Sequence, residues 1–209
     1  MTRRAGQSRI IVGLTGGIAA GKSFVARGLL EAAADLSLDA ILIDSDQLSR
    51  HAWDDPTCRQ KLAAILGEAV CPPLPALIDR SAVAKVIFAD ESKRHAVEAV
   101  IHPFISAERS RRIEATAAQL IIVDSPLLLE TGLDRMCDAV VFVDTPAAER
   151  LERAVKRGWS PAALAAREAS QWPIERKKEH SSYVIAGTYR RDELAESCRS
   201  VLREIFTRG

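Results

Sequence analysis

Aromatic side chains make up only 5% of the 209 residues, and neither sign of charge dominates, with 29 Lys plus Arg against 28 Asp plus Glu. A net charge near zero gives none of the basic field expected of a nucleic-acid or anionic-membrane binder, so neither partner is expected. Cysteines are few: Cys58, Cys71, Cys137 and Cys198 lie far apart without a C-x-x-C pair, and no histidines cluster near them. That spacing argues for reduced thiols rather than a disulfide scaffold or a zinc site. No apolar run approaches the ~20 residues of a membrane span. The basic residues 1–4 precede an apolar stretch that is short and soon broken by glycines, a poor fit to a secretory signal. A soluble cytoplasmic protein is expected, of a length that buries an ample core in one domain with appendages. No repeat or low-complexity segment occurs.

What the chain does have is a phosphate-binding signature. Gly16-Gly17-Ile18-Ala19-Ala20-Gly21-Lys22-Ser23 reads G-x-x-x-x-G-K-S. An apolar, strand-like run over residues 9–14 precedes it, and helical periodicity over 24–34 follows. Glycines let the backbone bend around an anion, and the N–H groups opening the next helix point at phosphate oxygens. Lys22 is expected to reach the β- and γ-phosphates of ATP, and Ser23 to offer its hydroxyl to Mg²⁺.

Further apolar runs at 40–43, 120–123, 139–143 and 183–185 alternate with helical patterns. This predicts an α/β fold, a parallel sheet of the P-loop NTPase type flanked by helices. The interval between residues 43 and 120 is far too long for an ordinary crossover and holds helical patterns at 57–66, 80–89 and 92–118. An inserted helical subdomain over about residues 47–118 is expected, with Cys71-Pro72-Pro73-Leu74-Pro75 as a stiff extended connector inside it. Gly158-Trp159-Ser160-Pro161 and Trp172-Pro173 delimit a second excursion, about 158–181, of the size of a mobile lid. The core is then about 8–46, 119–157 and 182–209.

Ligands of open α/β sheets bind beyond the carboxyl ends of the strands, and here those ends are acidic. Asp44-Ser45-Asp46, Asp124-Ser125-Pro126 and Asp144-Thr145-Pro146 follow successive strands. Asp144 reads best as a turn or cap before the helix at 146–157, where proline sits in the first turn. Asp124 suits a carboxylate holding Mg²⁺ through a water. Of Asp44 and Asp46, one can cap the helix starting near Gln47, and at least one should face the phosphoryl acceptor.

On the helix at 146–157, Arg150, Arg153 and Arg157 form one stripe, while Ala147, Leu151, Ala154 and Val155 form another face expected to pack on the sheet. The stripe is either solvated beside Glu149 and Glu152, or an arginine clamp on transferring phosphoryl oxygens; its place before the lid favours the clamp. Arg109, Arg111 and Arg112 read as a solvated face. His102-Pro103 interrupts a long helical pattern and by itself reads as a helix boundary.

Together these motifs resemble the dephospho-coenzyme A kinases, which phosphorylate the ribose 3′-hydroxyl of dephospho-coenzyme A with ATP in the last step of coenzyme A biosynthesis. The resemblance covers most of the chain. It runs from Gly13-Leu14-Thr15-Gly16-Gly17-Ile18 into Gly21-Lys22-Ser23 and through Ile43-Asp44-Ser45-Asp46 with Arg50. It continues in Ile78-Asp79-Arg80, Phe88, His102-Pro103, Asp124-Ser125-Pro126-Leu127-Leu128-Leu129-Glu130 and the stretch from Arg153 to Arg157. It implies Asp46 as the catalytic base, with Lys22 and Arg153 also catalytic. It places Asp44, Arg50, His102, Pro126, Leu127 and Leu128 at the acceptor, Gly16 to Ser23 with Arg157 and Gly187 at ATP, and Ser23 with Asp124 at Mg²⁺. The helical insert becomes the acceptor subdomain, in a monomer or weak homo-oligomer. The chain departs from the family after Tyr183-Val184-Ile185, where Ala186-Gly187 replaces the usual Asp-Asn near adenine; Phe24 and the Ala19-Ala20 pair are milder departures. Another small-molecule or nucleotide kinase, or a coenzyme A-binding protein without catalysis, remains open. A GTP switch lacks its N-K-x-D segment here.

Overall fold

The computed structural model describes residues 9–188 and 190–208, so the basic residues 1–4, and positions 8, 189 and 209 of the expected core, lie outside the described residues. The described chain divides into two compact units, one of the residues up to Asp44 and from Ala117 onward, the other Ser45–Thr116.

The first unit is built on five parallel strands: β1 (Ile10–Gly16), β2 (Ala40–Asp44), β3 (Leu120–Asp124), β4 (Ala139–Asp144) and β5 (Tyr183–Ala186), in spatial order β2-β3-β1-β4-β5. The strand alternation sorts the core. Ile10, Val12 and Leu14 of β1 share one face with Leu120 and Ile122 of β3 and Val141 and Val143 of β4. That face packs on α1 (Lys22–Asp35) through Val25, Ala26 and Leu29, and on α9 (Arg191–Arg208) through Leu194, Cys198 and Leu202. On the opposite face Gly13 leaves room for Leu128 and Cys137; a Cβ there would lie 2.6 Å from Leu128 Cδ2. β1 ends two residues later than the apolar run suggested, because backbone pairing carries through Thr15 and Gly16 to Val143. Burial beside Glu31 pushes the Cys198 thiol up to about 12, so it is an inert core thiol.

Three short helices follow β4: α6 (Ala147–Lys156), α7 (Pro161–Glu168) and α8 (Ile174–Glu179). Their N-termini are set by Pro146, by the Ser160 hydroxyl accepting from Ala163 N at 3.1 Å, and by Pro173. Asp144 caps nothing. Its Oδ2 accepts from Lys178 Nζ of α8 at 2.6 Å.

The second unit is helical: α2 (Ser45–Ala52), α3 (Pro56–Leu66), α4 (Arg80–Ala89) and α5 (Glu91–Ala115) surround a core of Ala52, Trp53, Leu62, Val83, Val97 and Ile101. Asp55, Asp79 and Asp90 are side-chain caps of α3, α4 and α5. Two expectations fail here. The 71–75 segment is no extended connector, since Ala76 N donates to the Pro73 carbonyl at 3.1 Å and turns the chain. Pro103 ends no helix: α5 runs through it for 25 residues. Pro103 and Ala99, whose carbonyl loses its helical donor, are both exposed, where leaving that carbonyl without a helical partner costs least. Nor are the three arginines of α5 alike. Arg109 is buried, whereas Arg111 and Arg112 both donate to Glu108 and hold its carboxyl down at about 2.

Candidate active site

The strand-to-helix turn between β1 and α1 is drawn tight by local bonds. Gly21 takes the left-handed conformation, φ 95°, at the N-cap of α1, and its carbonyl accepts from Phe24 N at 2.9 Å. Ala19 is also left-handed, φ 58°, a conformation L residues adopt only where the surroundings enforce it. Packing supplies the constraint: Ala19 is buried with Ala154 of α6 and Leu164 of α7, with Ile18 and Trp159 at the edge. Lys22 Nζ reaches back across the turn to the Gly17 carbonyl at 3.4 Å, and Ser23 stands exposed at the helix start.

Arg153 is bound to this loop. Its Nη1 donates to the Ala20 carbonyl at 3.1 Å, and its Nη2 donates to the Gly187 carbonyl at 2.9 Å and to Glu149 Oε2 at 3.4 Å. Thr145 Oγ1, buried at the start of α6, donates to the same Ala20 carbonyl at 2.7 Å. One guanidinium thus joins α6, the loop and the turn after β5. Gly187 has no room for a side chain, because a Cβ would collide with the Ala20 carbonyl and Thr145 Oγ1. An asparagine at 187 cannot be installed without moving the loop, so the departure at Ala186-Gly187 is built into the backbone.

Two of the three stripe arginines, Arg150 and Arg153, turn inward, and of the four apolar residues expected to pack on the sheet only Ala154 is buried. Arg150 is 7% exposed, donating through Nε to the Thr145 carbonyl at 3.2 Å and through Nη1 to Glu168 of α7. Leu151 and Val155 are instead 36% and 51% exposed, and Ala147 also faces outward. Arg157 lies exposed at the C-terminal end of α6.

At the neighbouring strand ends, Asp124 of β3 is buried and in register with both Leu14 of β1 and Asp44 of β2. Carboxylate and hydroxyl oxygens from Asp124, Asp44 and Ser23 are hard donors of the kind Mg²⁺ takes alongside phosphate and water. Among the described residues no group of three or more acidic, histidine or cysteine side chains that could hold a metal ion occurs. Of the leucines beyond Pro126, Leu127 is 37% exposed, but Leu128 is wholly buried under Gly13. Leu128 is therefore a core residue rather than the acceptor contact expected of it.

In the helical unit Asp46, in the first turn of α2, and Arg50, one turn on, are exposed; His102 is exposed on α5, which packs against α2. Sequence reasoning placed Glu130 at the end of the Asp124-to-Glu130 motif but missed its partner Lys177, with which it forms a buried pair at 2.9 Å. Nothing in the sequence distinguishes Lys177 from Lys178 beside it in the six-residue α8.

Comparison with known proteins identifies the family. The chain is 33% identical over 178 residues to the dephospho-CoA kinase of Synechococcus sp., covering 84% of this chain and 83% of that one. It is 35% identical over 200 residues to the dephospho-CoA kinase of Anaeromyxobacter dehalogenans, covering 93% and 92%. The crystal structure of TT1252 from Thermus thermophilus superposes with a TM-score of 0.77 at 31% identity, covering 94% of this chain and 97% of that one. Residues 10–192 match the CoaE family, dephospho-CoA kinase. The chain belongs to the dephospho-CoA kinase family, and it is a phosphotransferase with an alcohol acceptor that carries out the final step of coenzyme A biosynthesis.

Proposed function

We propose that ATP is the phosphoryl donor, held by the loop from Gly16 to Ser23, and that Arg153 is the arginine that meets the transferring group. The observation that carries this reading is the fixing of Arg153 by the Ala20 and Gly187 carbonyls at 3.1 and 2.9 Å. A guanidinium anchored at the rim of a phosphate loop loses little rotamer entropy when phosphate oxygens arrive. Lys22 supplies a second positive charge from the loop, and the opening of α1 presents backbone N–H groups.

Asp46 orients the ribose 3′-hydroxyl. In a loose phosphoryl-transfer transition state little proton transfer is needed early, so its carboxylate positions the nucleophile and takes up the proton late. Asp44, Arg50, His102, Pro126 and Leu127 complete the acceptor site in this reading, the 45–116 helices serve as the acceptor-binding subdomain, and Arg157 lies toward ATP. Ser23 and Asp124 would hold Mg²⁺, which supplies charge neutralisation at the bridging oxygens. Residues 158–181 act as a lid, since water in the closed site would hydrolyse ATP. No helix among the described residues is long and apolar enough to cross a membrane. We assign the enzyme to the cytoplasm as a monomer or weak homo-oligomer without nucleic-acid partners.

A panel of acceptors tests the assignment. kcat/KM with ATP is expected to be at least ~100-fold higher for dephospho-coenzyme A than for nucleoside monophosphates or shikimate. Comparable values for a nucleoside monophosphate would overturn it.

A further inference from the structure

We propose that Lys177 is a positioning residue which, through Glu130, locks the 158–181 segment onto the loop that follows Asp124 and thereby keeps transfer coupled to the acceptor rather than to water. The inference rests on reading 158–181 as the closing element.

Lys177 is fully buried, and its ammonium has three acceptors for its three N–H groups: Glu130 Oε1 at 2.9 Å, Gln171 Oε1 at 2.9 Å and the Pro126 carbonyl at 3.0 Å. Glu130 Oε1 also accepts from Trp172 N at 2.9 Å. A single carboxylate oxygen therefore receives both the side chain of α8 and the backbone just before it, while the same ammonium holds the carbonyl two residues after Asp124. The middle of the segment is pinned too, by Glu168 on buried Arg150. Both attachments converge on the phosphate loop. Gly17 lies against Ile174, three residues before Lys177 on α8, and against Arg150: a Cβ at 17 would stand 2.7 Å from Ile174 Cδ1 and 3.0 Å from Arg150 Nη1. Displacing α8 by loss of the lysine contacts would withdraw Ile174 from Gly17 and free the Pro126 carbonyl together.

Stability alone does not account for such a group. A buried ion pair is commonly replaceable by apolar side chains without loss of stability, whereas its directional bonds admit a single docking register. An ammonium saturated by acceptors from two separate segments has the geometry of a registration device.

The test is the number of ADP molecules formed from ATP per coenzyme A formed, with dephospho-coenzyme A present. The ratio does not depend on how much of a preparation is folded, so a purely structural role leaves it unmoved. The lead variant is the double substitution Lys177→Met with Glu130→Gln, which leaves no unpaired buried charge; Glu130→Gln alone is the second. The wild type is expected to give a ratio near one, the double variant a rate of futile hydrolysis relative to transfer raised at least ~10-fold with its thermal midpoint little changed, and Glu130→Gln a smaller rise in the same direction. Wild-type coupling retained in both folded variants would overturn the role of Lys177 while leaving the lid. A wild type whose hydrolysis already rivals transfer would overturn the lid, and this proposal with it.

Discussion

Arg153→Ala is expected to lower kcat by about 10³-fold, the lower end of what an arginine on a transferring phosphoryl group contributes. Its side chain is 30% exposed, yet both terminal nitrogens are committed to carbonyls of the loop and of the turn after β5. Arg153→Lys should recover little of this, because a single ammonium nitrogen cannot reproduce the planar fork whose two separate nitrogens reach the Ala20 and Gly187 carbonyls. The competing view treats Arg153 as a helix-surface partner of Glu149. It predicts a stability change within about 0.5 kcal/mol for either variant and unaltered turnover. Steady-state turnover and thermal midpoint measured on the same two preparations separate the two views.

Asp46→Asn is expected to reduce kcat at least ~100-fold with a much smaller change in KM for ATP, since the amide keeps the shape but cannot take the hydroxyl proton. Asp46 is exposed in the first turn of α2, so the substitution removes a favourable charge at a helix N-terminus, worth about 0.3–1 kcal/mol, and leaves the fold intact. Turnover above about a tenth of the wild type would remove Asp46 from the base role.

The parts of this architecture that depend on side-chain periodicity could be read before any coordinates were known. Runs such as Leu120–Asp124 are apolar on both faces because helices cover both sides of a parallel sheet, and the G-x-x-x-x-G-K-S spacing demands a strand before it and a helix after it. Backbone acceptors are invisible in a sequence, and they caused the principal misreading. On α6 the apolar Leu151 and Val155 suggested the packed face, but carbonyls of Thr145, Ala20 and Gly187 and the carboxylate of Glu168 draw Arg150 and Arg153 inward and leave the apolar pair outside. Leu128 was misjudged for a related reason. Its neighbour Leu127 is exposed while Leu128 fills the space left by Gly13, and a glycine's missing side chain does not announce what occupies it. Pro103 shows the converse: proline's local cost is a rule of the sequence, but whether it breaks a helix depends on packing along the rest of α5 and on the exposure of Ala99. The Glu130–Lys177 pair joins residues far apart in the chain: Glu130 closes a local motif, but nothing local marks Lys177 as its partner.

The most direct test follows the γ-phosphate itself. Incubation with γ-labelled ATP and dephospho-coenzyme A, followed by isolation of coenzyme A and location of the label by selective 3′-phosphatase release, should find the label on the ribose 3′-position for the wild type. With Lys22→Ala, transfer should fall at least ~100-fold and ATP binding weaken alongside it, because the ammonium that spans the loop to Gly17 is gone. Undiminished 3′-labelling by Lys22→Ala, or label that never reaches coenzyme A in the wild type, would contradict phosphoryl transfer from the loop between β1 and α1.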